Sequence, residues 1–238
     1  MTDSAESGAA LRRRCGGLLI RRERWSLSTR GWGLLLLLGL LIGTGLLRGV
    51  HPYLAIDDGS NGEVLVVEGW IGGRRLDSAA RAYRRGHYRA VIVVRDVDRT
   101  GDKWESGQYT ADYVAVDLVR QGVPADAVHV LLCPTVRRDR TYTCALAVRE
   151  WLDHHPGCGE ALDVATLGVH ARRSRLVYCK VFEAGRRIGA IGLDDVSYDP
   201  VRWWQTSEGV REVLSEVIAY GYARLFFWPD RGPVGSGG

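Results

Sequence analysis

Beyond residue 30 the sequence carries no net charge: 25 Lys and Arg stand against 25 Asp and Glu. A neutral body offers no general field to a polyanion, so no nucleic-acid partner is expected. The five cysteines include no CxxC and no Cys/His spacing of the zinc type, so no metal site is expected. G-x-S-x-G and H-E-x-x-H are both missing, which removes support for serine-hydrolase and zincin chemistry. No segment repeats internally. What remains, 46% hydrophobic and 25% charged, excludes a disordered tail, a collagen-like repeat and a disulfide-dense miniprotein.

The charge that does exist is concentrated at the start. The first thirty residues hold seven Arg against Asp3, Glu6 and Glu23. An uncharged run, GWGLLLLLGLLIGTGLL, then extends from Gly31 to Leu47. As a helix it would span roughly 26 Å, close to the thickness of a hydrocarbon core. Trp25 and Trp32 suit the headgroup region, and the Arg cluster belongs on the cytoplasmic side. The expected arrangement is a single pass through the cell membrane, in contact with the lipid bilayer. The basic segment 1–30 would be cytoplasmic, the anchor would occupy 31–50, and the C-terminal domain would be extracytoplasmic. A cleaved signal peptide would use Gly43-Thr44-Gly45 as its small-residue site, and a core helix would bury the Leu run. The long basic prefix argues against the first, and the lack of a polar face against the second.

The polar stretch around Asp57–Gly62 reads as part of a linker over 51–62, and 229–238 as a Gly/Pro-rich disordered tail. Between them, 63–228 alternates apolar runs with amphipathic stretches. Strands are expected at Val64–Val67, Val91–Val94, Val128–Leu132, Asp163–Leu167 and Ile188–Leu193. Helices are expected at Leu76 to Tyr83, about Gln108–Arg120, Thr141–His154, Ala171–Phe182 and Ser207–Phe227. Strands separated by such helices predict an α/β fold, a Rossmann-like doubly wound parallel sheet of about five strands. The last helix carries an apolar stripe (Val210, Val213, Leu214, Val217, Ile218, Gly221, Leu225) beside Glu208, Glu212 and Glu216, and is expected to pack on the core. Trp203 and Trp204 are expected to pack against the sheet. Cys133, Cys144, Cys158 and Cys179 fall in the exported part, where up to two disulfides in three pairings compete with buried thiols.

Ligands of such sheets bind beyond the strand C-termini. The first strand ends in Glu68-Gly69-Trp70, and a carboxylate there is costly unless paired, so Glu68 is a candidate base or cation ligand. The Gly69, Gly72, Gly73 turn is Gly-rich but lacks the dinucleotide spacing. Asp139, Arg140 and Thr141 open the third of the expected helices, whose N-terminal amides and dipole favour an anion. His170 opens the next, with Arg172, Arg173 and Arg175 in its first turns. Cations at two helix N-termini oppose the dipoles, and an anion between them would reverse the sign. Arg140 and Arg173 are therefore expected to clamp a phosphate-type ligand, with His170 as acid or base.

Four segments carry a family resemblance: VLVVEGW (64–70), QGVP (121–124), DRTYTCALAVREWL (139–152) and TLGVHARRSRLVYCKVF (166–182). Following a single anchor, they resemble the YdcF/SanA/ElyC family of bacterial envelope domains of largely unknown function. The resemblance covers about 63–228 and implies a Rossmann-like domain linked to wall or surface-polymer integrity. It carries a ligand role to Thr141, His170 and Arg173. The family's Ser and Asn in the third-strand motif are replaced here by Arg138 and Arg140, and its Glu and Asn by Thr143 and Cys144. Arg95-Asp96-Val97 stands in place of a second-strand Gly-Gly. The expected function is binding, with or without processing, of a phosphate-bearing or polyprenyl-linked envelope precursor. The alternatives are a nucleotide or S-adenosylmethionine-like ligand, and a noncatalytic scaffold in wall assembly. No cofactor is assigned.

Overall fold

The computed structural model describes residues 13–14, 19–20, 26–96, 111–134, 136, 138–158, 160–183 and 185–228. The expected helix start at Gln108, the tail 229–238 and Cys15 lie outside the described residues. The chain divides into two units, Met1–Thr44 and Gly45–Gly238. In the first, Arg13–Arg14 pairs antiparallel with Leu19–Ile20, and the long helix α1 (Thr29–Leu54) begins. This helix is long and apolar enough to cross a membrane, with mean hydropathy 2.0 over its best window and none of that window buried. Its C-terminal turns belong to the second unit, where His51 and Leu54 are buried.

The second unit is an α/β fold. Five strands, β1 (Val64–Glu68), β2 (Ala90–Asp96), β3 (Val128–Cys133), β4 (Ala161–Leu167) and β5 (Arg187–Leu193), form one parallel sheet in the order β3-β2-β1-β4-β5. β1 and β4 read as nearly continuous apolar runs because both faces of the sheet are covered. Alternate residues face opposite sides. Val64, Val66, Ile92 and Val164 pack with Ala145, Val148 and Leu152 of α4 (Arg140–Asp153) and with Tyr178, Val181 and Phe182 of α5 (Ala171–Phe182). Leu65, Val67, Val91 and Val93 meet Leu76, Ala79 and Ala80 of α2 (Leu76–Arg85) and Val114 and Leu118 of α3 (Ala111–Arg120). A disulfide joins Cys133 at the end of β3 to Cys144 on α4, while Cys158 and Cys179 are free thiols.

A third cluster departs from expectation. Trp203 packs with Leu54, Tyr198 and Val213 rather than against the sheet, and its Nε1 donates to the Leu47 carbonyl at 2.9 Å. The apolar stripe of α6 (Ser207–Leu225) also divides: Val213 is buried, whereas Leu214, Val217, Ile218 and Leu225 are exposed. The helix turns its Glu216 side inward instead.

The stretch expected to be a linker is built into the domain. Residues 51–54 continue α1, and Asp58 forms an antiparallel bridge with Ala190 of β5. The fully buried Asp163 carboxylate of β4 holds residues 60–62. Its Oδ1 accepts from Ser60 N at 2.5 Å and Ser60 Oγ at 2.7 Å, and its Oδ2 from Tyr88 Oη at 2.8 Å and Gly62 N at 3.4 Å. Gly189 makes this approach possible, since a Cβ there would lie 2.0 Å from Asp163 Oδ1 and 2.3 Å from Ser60 N. Gly189→Ala is expected to cost about 1–3 kcal/mol through this overpacking. Urea unfolding should show a lower midpoint at unchanged slope.

Candidate functional site

The crevice of an open parallel sheet forms where the strand order reverses. Here that point lies between β1 and β4. Glu68 ends β1 and is 5% exposed, so its carboxylate needs local donors. Thr166 of β4 donates its hydroxyl to Oε2 at 2.7 Å, and Ser174 of α5 donates to Oε1 at 3.2 Å. Both hydroxyls are buried with it. Burial, and then the Glu68 charge, push the phenol of the buried Tyr178 up, so that hydroxyl stays protonated.

Helical spacing explains the next layer. His170, Arg173, Ser174 and Val177 stand at i, i+3, i+4 and i+7, one face of α5 and the turn that precedes it. That face meets Glu216 of α6. His170 Nδ1 lies 2.7 Å from Glu216 Oε1, and Arg173 donates through Nε to Oε2 at 2.8 Å and through Nη2 to Oε1 at 3.1 Å. Burial alone would raise Glu216, but the bonds from His170 and Arg173 outweigh it and hold the carboxyl down at about 2. Burial would lower Arg173, yet its bond to Glu216 and the nearby charges raise it above its ordinary value.

With Glu216 taking the Nδ1 proton, Nε2 is the nitrogen left to exchange protons. It faces Glu68 Oε2 at 3.9 Å, and Arg173 Nη2 lies against the ring, 2.9 Å from Nε2 and 3.0 Å from Nδ1. Two carboxylates thus face one guanidinium and one imidazole. Trp70 packs edge-to-face on His170, ring centroids 5.7 Å apart. Both residues line a cavity of about 350 Å³ whose other walls include Arg75, Asp195, Arg211 and Glu212.

The expected residues fall into two groups. Glu68, Trp70, His170 and Arg173 come together. Asp139, Arg140 and Thr141 do not join them: Asp139 and Arg140 are exposed, Thr141 is half-buried, and none of the three lines this cavity. The strand order gives the reason. β2 and β1 stand between β3 and β4, so their loops are about 14 Å apart at ordinary strand spacing rather than adjacent. Asp139 adopts left-handed backbone (φ 57°) and does not cap α4 with its side chain. Arg172 and Arg175 also point elsewhere, to Tyr53 and to Asp58. Glu216 supplies an internal carboxylate partner to both His170 and Arg173.

Gly69 and its neighbours do not form a phosphate cradle of the nucleotide type. The Gly69 amide donates to Val94 O at 2.9 Å and that of Ile71 to Glu68 O at 3.1 Å. Positive φ is needed only at Gly73 (φ 62°) in this turn. Among the described residues, no group of three or more His, Cys, Asp or Glu side chains is placed to hold a metal ion. Sequence reasoning misses Glu216, Thr166 and Ser174 as site residues. Ser174 carries a usable signal, standing one helical turn beyond His170.

No known family matches this sequence, and no curated protein does. Among solved structures, pantothenate synthetase from Thermus thermophilus is similar over 68% of this chain and 75% of its own. The identity is 12% and the TM-score 0.34, a likeness that carries no argument about what this chain does.

Proposed function

We propose that the chain is a membrane-anchored domain of the cell envelope that binds a lipid-linked envelope precursor at the β1/β4 crevice. His170 exchanges a proton with the bound group. The observation that carries this reading is the imidazole itself: oriented by Glu216 at 2.7 Å through Nδ1, flanked by Glu68 at 3.9 Å from Nε2, and lining a cavity. A carboxylate-oriented histidine beside an open pocket is the arrangement proton transfer requires. The anchor reading is supported by the apolar helix α1 and by the Cys133–Cys144 disulfide, which favours an oxidising compartment outside the cytoplasm. The YdcF/SanA/ElyC resemblance points to the same compartment.

The test is a titration of the full chain in nanodiscs with a polyprenyl diphosphate bearing one sugar. The His170 imidazole resonance should move on binding. His170→Gln, folded to the wild-type melting temperature, should bind roughly tenfold more weakly, a loss of about 1.4 kcal/mol. Wild-type affinity in that variant would overturn the proposal.

A further inference from the structure

We infer that the cavity beside His170 takes an uncharged, hydroxyl-rich ring, the chemical class of a sugar, because an exposed Trp70 stands there among carboxylates and cations that are already paired. The inference rests on the reading of this cavity as the ligand site and adds what kind of group enters it.

The charges come first. Arg75 pairs with Asp195 at 3.2 Å, and Arg211 with Glu208 at 3.3 Å and Glu212 at 3.5 Å. Glu216 holds both His170 and Arg173. Each cation on the wall therefore has its carboxylate, and an anionic ligand gains a partner only by breaking a pair. A neutral ligand leaves every pair intact. It finds a wall dense in hydrogen-bonding atoms, since a carboxylate oxygen engaged once still accepts again. Hydroxyl groups, which both donate and accept, suit such a wall.

Trp70 supplies what a small polyol alone would not use. The residue is 40% exposed on a wall otherwise rich in charged groups. A flat apolar surface bordered by donors and acceptors matches a pyranose, whose C–H face is apolar and whose rim is hydroxylated. The volume of about 350 Å³ lies at the small end for ligand sites, which fits a sugar unit and leaves a lipid tail outside.

The experiment is saturation-transfer NMR on the full chain in nanodiscs. The probes are glucose, N-acetylglucosamine, glucuronate and inorganic pyrophosphate, with the His170 imidazole resonance followed in parallel. Saturation should reach the ring protons of at least one neutral sugar. Trp70→Ala should cut that transfer about fivefold, in line with loss of a stacked aromatic contact. Trp228→Ala, an exposed tryptophan that does not line the cavity, should leave it unchanged. Transfer that survives Trp70→Ala would overturn the inference. So would a preference for glucuronate or pyrophosphate; if either also moved His170, the cavity would remain the ligand site with the wrong class assigned. Transfer from no probe, with His170 unmoved by any of them, would overturn the inference. If the lipid-linked titration also left His170 unmoved, the reading of the site would fall with it.

Discussion

Glu216→Ala is expected to destabilise the domain by about 3–5 kcal/mol, the usual cost of removing one partner from a buried ion pair. The loss arises because His170 and Arg173 are both left without their shared acceptor, and Arg173 is four-fifths withdrawn from water. For a domain of this size each kcal/mol moves the melting temperature by about 2–4 °C, so a fall of roughly ten degrees should appear by calorimetry. The pH dependence gives an independent reading. Glu216 sits at about 2 in the folded chain against 4.5 for the free group, which corresponds to about 3 kcal/mol. A depressed carboxyl contributes fully above its unfolded value and loses that contribution as pH falls through its folded one. Wild-type stability should therefore drop between pH 4.5 and 2. The variant should lack this component of the slope. A variant that unfolds with the wild-type acid profile would show that the carboxylate is not held by these partners.

The second large effect belongs to Asp163. Asp163→Ala removes a buried charge that has four donors, two from Ser60 and one each from Tyr88 and Gly62. Ser60 N, Gly62 N and Tyr88 Oη then lose this acceptor, while Ser60 Oγ keeps the Leu162 carbonyl at 3.2 Å, at an expected cost of about 3–5 kcal/mol. Asp163→Asn should recover only part of this, because its amide NH₂ must face a donor on one side. Tyr88→Phe alone should cost about 1 kcal/mol. Burial and the bond to Asp163 push the Tyr88 phenol up, so it acts as a donor throughout the neutral range. Combined with Asp163→Ala, Tyr88→Phe should add almost nothing, and urea unfolding of the four proteins in a double-mutant cycle measures this. Full additivity would mean that the two side chains act independently.

The strands are legible because their signal is local. Val64–Val67 and Val91–Val94 are β-branched or aliphatic runs of the kind a sheet covered on both faces buries, and Val128–Leu132 is a mostly aliphatic run on the half-exposed edge strand. The structure extends each by one or two residues at its ends. Glu68, His170 and Arg173 are legible as site residues for a similar reason, each being a polar group where an apolar element stops. Three things are not. The convergence expected of Arg140 with His170 depends on which strands are neighbours, and β1 and β2 lie between them. Glu216 looks like one of a solvated row with Glu208 and Glu212, and only the packing of α6 on α5 separates it from them. The polar stretch 57–62 has linker composition, and its place in the fold is set by Asp163 and Gly189, over a hundred positions downstream. Composition reports solubility; it does not report what a distant residue reserves space for.

Glu216 also bears on biogenesis. It resides on α6, the last helix among the described residues, whereas β1, β4 and α5 are made earlier. A chain emerging from the ribosome can thus assemble its sheet while an imidazole and a guanidinium still await their counter-ion. The crevice gains Glu216 only when α6 has been made. Until then, among the described residues, Glu68 is the one carboxylate facing both side chains.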